Sequence, residues 1–78
     1  MKLIVLSLPR GFSEQDLEEL FKAHGKVNAC SLVFDDKTGA SKGFGFVEMA
    51  LEEEAMAAIE KLHGSKVSGH KIRVKPAQ

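Results

Sequence analysis

At 78 residues the chain has room for one small domain. A domain of that size hides only about 60% of its unfolded surface, which demands a continuous core and excludes a deep active site with its own supporting shell. Eleven basic and eleven acidic residues cancel, which taken alone counts against a nucleic-acid partner.

Residues 2–8 read as a strand, apolar on both faces from Leu3 to Leu6 and therefore central in a sheet. The same run faintly imitates a signal peptide, but it is too short for an h-region and no small-residue cleavage site follows. Pro9-Arg10-Gly11 breaks the strand. Ser13 then caps a helix over 13–24, with Asp16 in the capping-box position and Phe12 placed to staple onto Leu17. Leu17, Leu20 and Phe21 form its buried stripe, and Gly25 is expected to end it in the left-handed conformation.

Residues 27–34 are rich in branched and aromatic side chains and predict a second strand. A polar loop, 35–41, leads into a third strand over 43–49. A second helix over 51–63 presents Ala55, Ala58, Ile59 and Leu62 inward, starts on the poor cap Leu51 and stops at Gly64. After a turn at 67–70, Ile72 and Val74 alternate with Lys71, Arg73 and Lys75, a period-two pattern that predicts the last strand. The order β-α-β-β-α-β predicts an α+β, ferredoxin-like sandwich: a four-stranded antiparallel sheet with two helices packed on one face.

The third strand carries the sharpest signal. Residues two apart share a face of a strand. Glu48 is unsuited to burial, so Val47 and Met49 should face inward and Phe44 and Phe46 should share the outer face with Glu48. Charge supports this division. The two helical segments hold eight acids and two bases, net −6, while the rest holds nine bases and three acids, net +6. With the acidic helices behind the sheet, the front combines Phe44, Phe46, Ile4 and Leu6 with Lys71, Arg73 and Lys75, and with Lys2 and Lys42 near its edges. Rings interleaved with cations suit a single-stranded nucleic acid, whose bases stack and whose phosphates meet the cations.

Lys42-Gly43-Phe44-Gly45-Phe46-Val47-Glu48 matches the first seven positions of the octapeptide K/R-G-F/Y-G/A-F-V-x-F/Y. On those residues, the hexapeptide Leu3-Ile4-Val5-Leu6-Ser7-Leu8 and the element order, the chain resembles the RNA recognition motif family over its whole length, 1–78, as a single domain. It looks most like the small stand-alone bacterial proteins of that family. The resemblance implies that Phe44 and Phe46 contact bases and riboses, that Lys42 meets a phosphate, and that Arg73 and Lys75 add contacts from the last strand. Three positions depart from the pattern: Met49 replaces an aromatic on the core face, Ser7 stands in place of Asn at the turn, and Ile4 replaces the usual stacking aromatic. Losing one stack costs about 1–3 kcal/mol, or about 5- to 150-fold in affinity.

The expected partner is single-stranded RNA, with single-stranded DNA as a second candidate. A protein-interaction or self-association module using the apolar sheet face is the alternative function, with weak self-association as its form in this chain alone. Gly43-x-Gly45 lacks the spacing and following helix of a phosphate loop and suits close packing or a bulge instead. Arg10 suits either an anion or a solvated turn. His24, His63 and His70 show no metal-ligand spacing among themselves or with Cys30, so neither metal nor cofactor is expected. Cys30 reads as a small buried apolar residue. As the only cysteine it excludes an internal disulfide and suggests a reducing, cytoplasmic setting. No apolar stretch reaches the roughly 20 residues of a membrane span, and only the fold would speak for an enzyme.

Overall fold

The computed structural model describes residues 1–77. Strands β1 (Lys2–Leu6), β2 (Val27–Phe34), β3 (Ser41–Met49) and β6 (Arg73–Pro76) form one antiparallel sheet in the order β2-β3-β1-β6. The strand that is apolar on both faces is thus central, as its sequence requires. Ser7 ends it at φ +64°, and the Leu8 N–H then donates to Gly43 O at 2.8 Å. An Asn, which tolerates that left-handed geometry better than Ser, would relieve the turn.

Helix α1 (Glu14–Lys22) begins on the expected capping box: Ser13 Oγ accepts from Asp16 N at 3.0 Å and Asp16 Oδ2 accepts from Ser13 N at 3.1 Å. Helix α2 (Glu52–Leu62) starts at Leu51 with no side-chain cap. Both helices press their stripes, Leu17 with Phe21 and Ala55, Ala58 with Leu62, onto a sheet face made by Leu3, Val5, Leu32, Val47, Met49 and Val74. Phe12 and Leu20 pack around this core. The acids of the two helices therefore lie on the side of the sheet opposite Phe44 and Phe46.

Three sequence expectations are corrected. Gly25 does not adopt a positive φ. Its lack of a side chain serves packing instead, because a Cβ there would fall 2.6 Å from the Glu54 side chain, whose Oε1 accepts from Lys26 N at 3.0 Å. Lys71 does not continue the last strand of the main sheet. It belongs to a separate hairpin, β4 (Lys66–Val67) with β5 (His70–Lys71), paired directly with Lys66. Ser68 and Gly69, both at positive φ, form its turn. Cys30 is half-buried rather than buried, and its thiol donates to Glu14 O at 3.4 Å.

The two glycines of the octapeptide act as strand-packing residues. A Cβ on Gly45 would lie 2.5 Å from Ser31 O and 2.9 Å from Leu32 Cδ2. Gly43 sits at φ +82°, and its N–H donates to Ser41 Oγ at 3.1 Å.

Candidate nucleic-acid interface

The register across the sheet places the outer-face residues in rungs. Ser31, Phe46, Ile4 and Lys75 lie side by side on β2, β3, β1 and β6. Ala29, Glu48 and Lys2 form the neighbouring rung, and Arg73 stands across from Leu6 on the other side. Val47 and Met49 are buried, whereas Phe44 and Phe46 are half-exposed on the uncovered face. Alternation along β3 accounts for both facts: one side of the strand meets the helices, the other meets solvent.

The two rings pack edge to face, with centroids 6.2 Å apart and planes at 81°, an arrangement favoured by the aromatic quadrupole. The Lys2 ammonium lies 5.0 Å from the Phe46 centroid, within cation–π range. Ile4 occupies the place between Phe46 and Lys75 on the same rung, so an aliphatic side chain stands where a third ring would extend the platform.

Beyond Phe44 the face deepens into a cleft of about 520 Å³ that brings Phe44 and Leu6 together with Arg10, Lys42, His70 and Arg73. Arg10 is oriented from the β1–α1 loop by a bond from its Nη1 to Ser41 O at 3.3 Å. Of the sequence-predicted residues, Phe44, Phe46, Ile4, Lys2, Arg73 and Lys75 share the sheet face through strand register, and Lys42 joins at the cleft. Lys71 is set apart in the hairpin, where a Cβ on Gly64 would lie 3.7 Å from its Cε. Sequence reasoning left Arg10 open between an anion contact and a solvated turn, put His70 only at the turn before the basic strand, and overlooked Ser31. Only the folded chain brings Arg10 and His70 to one cleft and sets Ser31 beside Phe46.

A second cleft, about 490 Å³, runs between α1 and β2 and is lined by Glu14, Glu18, Asn28 and Cys30. Its carboxylates repel a polyanion. Burial, with Glu14 and Glu18 nearby, also pushes the Cys30 thiol up to about 11, so it is not a reactive thiolate. Among the described residues no group of three or more His, Cys, Asp or Glu side chains is arranged to hold a metal ion. No helix among them is long and apolar enough to cross a membrane.

Comparison with known proteins agrees with this geometry. Residues 3–73 match the family model described as RNA recognition motif, and the chain belongs to that family. It is 44% identical over 77 residues to a 31 kDa chloroplastic ribonucleoprotein of Nicotiana sylvestris, covering 99% of this chain and 24% of that protein. The chain thus spans about a quarter of the length of that relative. Among solved structures, the RNA-binding protein PG1 superposes with a TM-score of 0.96 at 40% identity, covering 99% of this chain and 93% of that one. A Sex-lethal protein–RNA complex superposes with a TM-score of 0.94 at 36% identity, covering 99% and 46%.

Proposed function

We propose that the chain is a binding module for single-stranded RNA, its bases stacking on Phe44 and Phe46 while Lys42, Arg73 and Lys75 meet phosphates and Lys2 contacts the bound strand beside Phe46. The observation that carries this reading is the pair of half-exposed rings on the sheet face without helices, with cations on the same and adjoining rungs. Family membership supports it, as does the likeness to a Sex-lethal protein solved with RNA. Lys71, outside the main sheet, adds positive potential close to the face rather than an ordered contact. Single-stranded DNA is a second candidate ligand of the same face, because stacking tolerates either sugar.

Residues 1–78 act as one domain and carry no enzymatic activity. Kinship with small single-domain proteins is supported by PG1, whose solved chain is 93% covered by this one. A bacterial source and a cytoplasmic setting rest on the family likeness and the lone cysteine, whereas the Nicotiana relative is a chloroplast protein. Self-association through Ile4, Leu6 and the rings is the competing use of the face.

Titration with short oligonucleotides, followed by amide chemical shifts at several salt concentrations, tests the reading. Shifts should map to β1, β3 and β6 and weaken as salt rises. Shifts confined to α1 and α2, or salt-insensitive dimerisation with no response to RNA, would overturn it.

A further inference from the structure

The charged pair beside Phe46 contributes nothing to stacking, and its chemistry singles out one base. Glu48 follows Phe46 on the same face, about 7 Å further along the strand, and Lys2 stands directly across from it on β1. With Ser31, opposite Phe46 on β2, they line a small cleft of about 150 Å³ beside the ring. Ala29, across from Glu48 on its other side, is too short to fill that space. A base stacked on Phe46 therefore delivers its edge to a carboxylate, an ammonium and a hydroxyl.

An ionised carboxylate accepts two parallel N–H bonds, and a lysine only donates. Guanine alone among the four bases presents two adjacent donors, N1–H and the N2 amine, next to the O6 acceptor. Cytosine and adenine each offer one amino group to a carboxylate. Uracil flanks its single N–H with carbonyl oxygens, one of which would be set against Glu48, a repulsive contact that adds to discrimination. Resting on the reading of Phe46 as a stacking ring, we propose that Lys2 and Glu48 make this position a guanine reader. Glu48 accepts N1–H and N2–H, and Lys2 donates to O6. In the free protein the Lys2 ammonium covers the ring at 5.0 Å. A stacking base displaces it, and the flexible four-carbon stem carries the charge to the base rim.

The test measures binding of the whole chain to short fluorescein-labelled oligouridines carrying one central guanosine, adenosine, cytidine or inosine, by anisotropy at fixed salt. The guanosine oligonucleotide should bind about 10-fold more tightly than the adenosine, cytidine or all-uridine ones. Inosine, which lacks the N2 amine, should fall between. Glu48→Gln should collapse the guanosine-over-inosine ratio, although removing a negative charge raises affinity for every RNA. A cytidine preference, or a guanosine preference untouched by Glu48→Gln, overturns the assignment while leaving RNA binding intact. If none of the oligonucleotides binds, the sheet-face reading itself fails.

Discussion

Gly45 on β3, paired with Leu32, comes so close to the Ser31 backbone on β2 that the sheet admits no side chain there: a Cβ on Gly45 would sit 2.5 Å from the Ser31 carbonyl oxygen. Ser31 is the strand partner of Phe46, so the same approach holds the edge strand against that ring. Gly45→Ala should destabilise the fold by about 1–3 kcal/mol through overpacking. Urea unfolding measures this, and an unchanged midpoint would show that β2 yields without cost.

The stacking platform makes opposite predictions at two positions. Phe44→Ala should weaken RNA binding by about 1–3 kcal/mol, and Ile4→Phe should strengthen it by a similar amount by adding a ring between Phe46 and Lys75. Calorimetric titration of one oligonucleotide against both variants checks the pair. If Ile4→Phe binds no better, the bases do not travel across the Phe46 rung.

Arg73 and Lys75 should act through charge. Replacing either by Gln should reduce the slope of log affinity against log salt by about one ion-release unit (~0.7 for a single strand). Affinity should fall for every oligonucleotide alike. Lys71→Gln should change the slope less, since Lys71 lies in the hairpin with Lys66.

His63 ties helix to sheet. Its Nδ1 lies 3.1 Å from Val74 N and 3.2 Å from Val74 O, so it bonds the Val74 backbone as acceptor or as donor according to its tautomer. His63→Ala should cost about 1 kcal/mol of stability, the net worth of such a bond. Amide exchange should also quicken at Val74 relative to the central strands.

The Cys30 thiol gives a pH dependence with a definite sign. Its pKa rises from 9.0 to about 11 in the folded chain, through burial first and the Glu14 and Glu18 carboxylates second. The folded state therefore holds the thiol proton after the unfolded state has released it. The thiol's contribution to stability should be constant well below pH 9 and decline as pH climbs through that interval, a decline absent in Cys30→Ser. Alkylation of the native protein at pH 8 should be slow, rising only on denaturation.

The sequence revealed most of this arrangement because its signals were periodic. Alternation at 44–49 told the inner face from the outer, the Ser13 and Asp16 spacing told where α1 begins, and the apolar run at Leu3–Leu6 told which strand is central. Where local pattern and tertiary context part, the reading failed. Lys71 keeps perfect alternation with Ile72, yet the turn at Ser68 and Gly69 folds it onto Lys66 first. Gly25 has the composition of a helix stop, but its role is set by Glu54 from another element. The cleft that gathers Arg10, Lys42, His70 and Arg73 draws on four separate stretches of chain, which no window of sequence brings together.

The partition of acids onto the helices and bases onto the opposite side has a kinetic meaning. Beyond a Debye length, about 8 Å at physiological salt, the two halves cancel, so a distant strand feels almost no pull. Capture therefore proceeds at an unsteered pace, and only an encounter that begins with the ring side forward survives, because the reverse approach meets the carboxylates of α1 and α2. On the proposed reading, a face so arranged should release most single strands quickly and hold those that seat bases on its rings.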